Sequence, residues 1–372
     1  MLDLTSLIEN NKLLSNFIYF FFDTYFKTIR KIFSSFPYKT NIGVVISLHK
    51  LGDTVFTVPA VKEILKNHSG SIKIVCYPES KIIYREVFPD AEFIEIEHDE
   101  VLWDDRFVKN SARKKIKMFQ PSVIYDLTGL SFLVYNIRAK EIIGMSKRQF
   151  KNVYDIYSPI RTKPHLMDTY FDVVKLKFNV DDSISAKTFP VSFNASDRIL
   201  IHPFAGWKAK EWGMEKFIAL AERLNKKNKT AFIAEEGKFT KDDLTKIKTA
   251  GSDVIVTNSL SELINEIKKS SLMISNDSGP LYIANLSGKS TFAIYGPTNP
   301  AFSVPYGEYH SYIQKKIHCS PPEDKQYCFT NAGRNCPSYQ CMIQLSVDEV
   351  YNSLQKFIDK IFSLRHELSG TN

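Results

Sequence analysis

The chain has 372 residues, 44% hydrophobic and 24% charged, with no low-complexity tract or short-period repeat; this excludes a disordered or fibrous protein and leaves room for two ordinary domains. A net charge of +8 and a pI near 9.0 favour a polyanionic partner: nucleic acid, an anionic membrane surface or an anionic substrate. Nucleic acid has the least support, because zinc-finger spacing and ribonucleoprotein aromatics are absent and the lysines are spread along the chain.

Residues 1–41 differ from the rest. An apolar, aromatic run from Leu13 to Phe36 is interrupted by Asp23, Lys27, Arg30 and Lys31, short of the roughly 20 uninterrupted apolar residues of a spanning helix. Basic residues follow the apolar stretch instead of preceding it, and no small-residue cleavage site appears, so a signal peptide fits poorly. The composition predicts an interfacial amphipathic helix, with Phe17, Phe20, Phe21, Tyr25 and Phe26 in lipid headgroups and Lys27, Arg30 and Lys31 facing anionic lipid. A helix docked on the core is the alternative.

From residue 42 strands alternate with helices. "IGVVISL", "SIKIVCY", "AEFIEIE" and "SVIYDLTG" read as buried strands, with helical intervals at Val55–Asn67 and Asp105–Phe119. A polar stretch over 180–197 reads as a linker. Then "RILIHPFA", "TAFIAEEG", "DVIVTNS", "SLMISND" and "STFAIYG" repeat the alternation around helices at Met214–Lys227, Lys241–Ala250 and Ser261–Ser270. The fold class is α/β: two Rossmann-like, doubly wound domains over 42–185 and 186–345, with the N-terminal extension 1–41 and a C-terminal helix and tail over 346–372. In such sheets ligands sit beyond the carboxyl ends of the strands, and a cleft between two domains is the expected site.

Three loops at those carboxyl ends carry candidate chemistry. In "SLHKLGDTVFTVPAVKEIL", Lys50, Gly52 and Asp53 are expected in a loop and Pro59 at the entry to a helix; Asp53 is a candidate general base or a helix cap. In "IHPFAGWKAKEWGMEKFIAL", Lys208 and Lys210 are placed to neutralise a diphosphate, unless they are merely solvated. In "ISNDSGPLYIANLSGKSTFAIYGPTNP", a strand breaks at Asn276–Pro280 and runs into a helix N-terminus, where amides without internal partners accept an anion. Gly279 admits close approach of a ligand, and Gly288 suits the helix C-terminus. The plainer reading makes Asp277 and Ser278 simple caps.

These three stretches, in this order and spacing over roughly residues 42–350, resemble glycosyltransferase family 9, the ADP-heptose:lipopolysaccharide heptosyltransferases and their relatives. The resemblance implies a GT-B architecture with two domains facing a central cleft, the acceptor bound mainly by the first and the nucleotide-sugar by the second. It also implies inverting, metal-independent transfer, with no cofactor, from an ADP-linked sugar to a lipid-linked glycan at the cytoplasmic face of the inner membrane. By the same resemblance Asp53 matches the proposed general base and Lys210 the lysine on the donor phosphates. Asp277, Ser278 and Gly279 match the donor-binding Asp-Thr/Ser-Gly, and Glu235 or Glu236 the position that holds the donor nucleoside. Lys50 and Gly52 belong to the acceptor-side loop. Many relatives carry His where this chain has Tyr282, whose hydroxyl donates a hydrogen bond but carries no positive charge at neutral pH. A non-catalytic binding protein of the same fold, or a GT-B epimerase or phosphorylase, are the alternatives.

The cysteines remain. Cys76 reads as a buried strand thiol. Cys319, Cys328, Cys336 and Cys341 are separated by eight, seven and four residues, which does not match the tight pairs of common zinc sites, so plain thiols are expected before metal or disulfides.

Overall fold

The computed structural model describes residues 12–38, 40–101, 108–146, 151–159, 165–181, 189, 191, 196–328 and 336–369. Two compact units are present: residues 1–50, 56–161 and 167–182 form the first, and 51–55, 162–166 and 183–372 the second.

In the first unit α1 (Lys12–Ser34) is followed by β1 (Ile42–Ile46), α2 (Leu51–Asn67), β2 (Ser71–Cys76), α3 (Pro78–Val87), β3 (Glu92–Glu95), α4 (Asn110–Lys117) and β4 (Val123–Asp126). After these come α5 (Ser131–Val134), β5 (Glu141–Ser146), β6 (Ile156–Pro159) and α6 (Leu166–Lys175). The six strands form one all-parallel sheet in the order β3-β2-β1-β4-β5-β6. Val44, Val45, Ile46, Ile74, Val75 and Ile124 are all buried, as the continuous apolar runs of a sheet covered on both faces require.

The second unit holds β7 (Arg198–His202), α7 (Met214–Leu224), β8 (Lys229–Glu235), α8 (Lys241–Thr249), β9 (Asp253–Thr257), α9 (Leu260–Lys268) and β10 (Leu272–Asn276). It continues with α10 (Gly279–Leu286), β11 (Ser290–Tyr295), β12 (His310–Gln314), α11 (Gln340–Ile343) and α12 (Val347–Ser369). Its sheet is also all parallel, in the order β12-β11-β10-β7-β8-β9. Numbered from its own first strand, this is the order of the first sheet. Val350, Leu354, Phe357, Ile358 and Ile361 of α12 pack into the same core as Phe217, Phe232 and Phe292. In each sheet the order reverses direction between two central strands, β1 and β4 or β7 and β10, which opens a crevice at their carboxyl ends.

Four expectations need correcting. The helix after β1 starts at Leu51, so Gly52 and Asp53 lie in its first turn, with Lys50 as N-cap, and Pro59 sits inside it. The proline ring's fixed φ suits a helix and costs it only one ladder bond and local straightness. The helix expected over 105–119 is α4, Asn110–Lys117; residues 105–107 lie outside those described. Strands β5 and β6 were not anticipated, because Gly144 interrupts one apolar run and Pro159 ends the other, a residue tolerated at a sheet edge.

The fourth correction concerns α1. Phe26 and Arg30 do not face outward: Phe26 is buried against Phe22, Phe132 and Tyr135, and Arg30 donates to Ala139 O at 3.1 Å and to Asp155 Oδ2 at 2.6 Å. Phe22, Phe26, Arg30 and Phe33 recur at the helical period and make a docking face. The opposite face exposes Phe17, Phe20 and Phe21 at 68%, 71% and 61%, with Tyr25, Lys27 and Lys31 also exposed, so both sequence readings describe one side of this helix. No helix among the described residues is long and apolar enough to cross a membrane.

Candidate active site

At the crevice of the second sheet five of the candidate residues come together: Lys210, Asp277, Ser278, Gly279 and Tyr282. Asn276, the last residue of β10, donates to Pro203 O at 2.7 Å and accepts from the Trp212 N–H at 3.1 Å. These bonds tie the chain after β7 to the end of β10. Between Pro203 and Trp212 the backbone makes one 3-10 turn, Lys208–Lys210. That turn points the Lys210 ammonium at Asp277, Nζ to Oδ2 2.6 Å, with the Trp207 ring 4.5 Å away. Lys208 instead pairs on the surface with Glu211.

Asp277 is buried, with both carboxylate oxygens engaged. Its Oδ2 also accepts from Thr298 Oγ1 at 2.7 Å, and its Oδ1 from the Tyr282 hydroxyl. Tyr282 Oη lies 3.3 Å from Tyr295 Oη, which is 3.2 Å from Ser303 Oγ. Burial alone would raise the Asp277 carboxyl, but the Lys210 charge and the hydrogen bonds from Lys210, Tyr282 and Thr298 outweigh it and hold the group below its ordinary value. Burial and the Asp277 charge in turn push the Tyr282 hydroxyl up, so it stays a donor.

Asp277 is therefore not a helix cap. Nor does Ser278 cap with its side chain: it occupies the N-cap position of α10 and makes no capping bond, its Oγ lying 2.9 Å from Ser275 Oγ. A Cβ added at Gly279 would come 3.3 Å from Leu51 Cβ, which shows how closely the backbone passes there. Gly288 closes the helix with φ at 70°. Leu51–Val55 group with this unit, and a Cβ on Gly52 would stand 3.0 Å from the Tyr282 ring. Asp53, the next residue, belongs to the first turn of α2, where a carboxylate complements the positive helix end. Glu235 ends β8 and Glu236 follows it, both exposed at the carboxyl edge of the sheet.

Thr298, Tyr295 and Trp207 were not singled out in the sequence. The signal available for Thr298 was its place in "GPTNP", the loop directly after a central strand of a parallel sheet.

A family model for glycosyltransferase family 9 (heptosyltransferase) matches residues 132–332, more than half of the chain. The chain belongs to glycosyltransferase family 9. A lipooligosaccharide heptosyltransferase 2 of Campylobacter jejuni is 23% identical over 330 residues, covering 82% of this chain and 96% of that protein. Among solved structures, a family 9 glycosyltransferase from Veillonella parvula superposes with a TM-score of 0.64 at 19% identity, covering 87% of this chain and 98% of that one. The E. coli heptosyltransferase WaaC, solved with ADP-2-deoxy-2-fluoro heptose, gives 0.60 at 14% identity, covering 85% and 99%. The fold of this family 9 glycosyltransferase is thus the GT-B fold of these enzymes, and its Lys210–Asp277 pair lies within an enzyme of sugar transfer.

Proposed function

We propose that this enzyme transfers heptose from ADP-heptose to a lipopolysaccharide core, with inversion and without a metal ion in the chemistry. The observation that supports this most is the Lys210–Asp277 pair beside the start of α10. One of the three ammonium donors of Lys210 serves Asp277, which leaves two for the oxygens of a diphosphate, and the first amides of α10 supply more. Glu235 or Glu236 takes the donor nucleoside. Asp277 and Ser278 take the sugar hydroxyls, and Tyr282 fixes the Asp277 carboxylate.

Transfer then balances as follows. Asp53 accepts the proton of the acceptor hydroxyl, the acceptor oxygen bonds to the anomeric carbon from the face opposite the diphosphate, and the glycosidic C–O electron pair leaves with ADP. Lys210 and the α10 amides stabilise that departing charge. Lys50 and Gly52 shape the acceptor side.

The test is release of ADP from ADP-heptose, with and without heptose-deficient lipopolysaccharide and with no divalent cation added. Asp53→Asn should lower turnover by roughly 10² or more while ADP affinity holds. Wild-type turnover in that variant removes Asp53 as the base; acceptor-independent ADP release by the wild type points to hydrolysis or to another acceptor.

The exposed face of α1 supports a second element of the reading, a peripheral position on the anionic inner surface of the cytoplasmic membrane. Phe17, Phe20 and Phe21 enter the headgroup layer there, and Lys27 and Lys31 meet anionic lipid. Replacing Phe20 and Phe21 together by Ser should abolish co-sedimentation with anionic vesicles and leave folding intact, since neither ring is buried. Undiminished co-sedimentation refutes the anchor.

A further inference from the structure

Around the Lys210–Asp277 pair the contacts close into a circuit. Lys210 Nζ meets Asp277 Oδ2 at 2.6 Å, and the same oxygen accepts from Thr298 Oγ1 at 2.7 Å. Thr298 faces Tyr327 in an isolated antiparallel bridge. The Tyr327 ring lies 5.4 Å from the Trp207 ring, inclined at 48°, and the Lys210 ammonium sits 4.5 Å from the centre of the Trp207 ring. The Lys210 N–H donates to Trp207 O at 3.0 Å, closing a tight turn in which side chains three residues apart stand beside one another. Trp207 and Tyr327 have no part in the transfer described above.

Tyr327 reaches Trp207 because residues 322–328 are buckled down as a strap. The buried Asn299 side chain donates from Nδ2 to the carbonyl oxygens of Pro322, Glu323 and Lys325 at 3.2, 3.2 and 3.1 Å, and its backbone N–H donates to Gln326 O at 2.9 Å. The Cys328 N–H donates to Pro297 O at 2.9 Å. Pro297 and Asn299 flank Thr298 in the loop after β11, so the strap and the hydroxyl that grips Asp277 are fixed to the same stretch of chain.

A lysine ammonium is a point charge on a flexible four-carbon stem, and its rotamers must be fixed before it meets a given oxygen. A second carboxylate would fix it only by turning the pair net negative, which repels a diphosphate. An aromatic face attracts the cation through its quadrupole and adds no charge. We propose that Trp207, braced by Tyr327 of the strap, is a positioning residue that holds the Lys210 ammonium in place for the donor diphosphate. This rests on the reading of Lys210 as the lysine on that diphosphate and adds to it the two rings that set where the charge stands.

The test is the affinity of the full-length protein for inorganic pyrophosphate, measured by calorimetry, next to release of ADP from ADP-heptose. Trp207→Leu should weaken pyrophosphate binding roughly tenfold, Trp207→Phe, which keeps an aromatic face, by no more than about threefold, and Tyr327→Ala by an amount between the two. In a Lys210→Gln background Trp207→Leu should add less than about twofold, because the ring then has no cation to hold. Where the Lys210→Gln protein does not fold, the recovery of binding in Trp207→Phe relative to Trp207→Leu decides. Undiminished pyrophosphate binding by Trp207→Leu, or equal losses in Trp207→Leu and Trp207→Phe, overturns the inference and leaves heptose transfer standing. Ring-dependent pyrophosphate binding in a protein that releases no ADP from ADP-heptose does the reverse. A wild type that binds no pyrophosphate overturns both.

Discussion

Asp126 and Asp277 stand at equivalent places in two sheets of the same strand order, one ending β4 and the other just past β10. Both are buried and both accept hydrogen bonds at each carboxylate oxygen, but from different sources. Asp126 accepts from the amides of Thr128, Gly129 and Leu130 at 2.9, 2.9 and 2.8 Å and from the Tyr154 hydroxyl at 2.7 Å. Burial wins there, and its carboxyl is pushed above the ordinary value despite those four bonds. At Asp277 burial loses, because a lysine supplies a full charge. A crevice whose carboxylate is closed off by its own backbone is a structural knot; one whose carboxylate holds a cation with spare donors is a place for an anion.

The largest effect that tests this contrast is Lys210→Met. It leaves the Asp277 carboxylate buried without a counter-charge, which should cost about 3–5 kcal/mol in urea unfolding. A loss below about 1 kcal/mol would mean that the amides and hydroxyls alone hold Asp277, as they hold Asp126.

The two carboxylates should also answer pH with opposite signs. A folded value held below the ordinary one adds stability above the unfolded value near 3.8 and loses it as pH falls through the folded value, which is the Asp277 case. A raised folded value means that the folded protein takes up its proton first, so Asp126 adds stability as pH falls toward 3.8. At pH 7, Asp277→Asn should cost about 2–3 kcal/mol and Asp126→Asn about 1–2 kcal/mol. As pH falls to 4 the cost of Asp126→Asn should rise, and below 4 the cost of Asp277→Asn should shrink, which urea titrations at several pH values can follow. Parallel curves for the two variants would erase the distinction.

The smallest effect separates the two tyrosines. Tyr282→Phe removes a donor to an ionised carboxylate and should cost about 1.5–3 kcal/mol, whereas Tyr154→Phe, with three amides still on Asp126, should cost about 1 kcal/mol. Equal losses would argue that Tyr282 has no special hold on Asp277.

Much of this was legible before the fold. The strand–loop–helix breaks at Asp53, Lys210 and Asp277 announce themselves by apolar runs that stop at a Gly or Pro. What was hidden is pairing across distance: Lys210 meets Asp277 from 67 residues away and Thr298 from 21, and no local pattern encodes either. Asp126 was passed over because its cage is mostly main chain, which every sequence has. In α1 the aromatic composition drew Phe26 outward with Phe17, Phe20, Phe21 and Tyr25, although the 3.6-residue period of Phe22, Phe26, Arg30 and Phe33 marks an inner face.

The ion pair of Arg30 with Asp155 does more than hold a helix down. It welds α1 to the first unit, so the exposed Phe17, Phe20 and Phe21 ride on a fixed outrigger. A surface that took hold of those rings would set the tilt of the β1 sheet with it. Cutting that weld with Arg30→Ala would convert a keel into a tether: whatever held the rings would no longer fix the angle of the sheet.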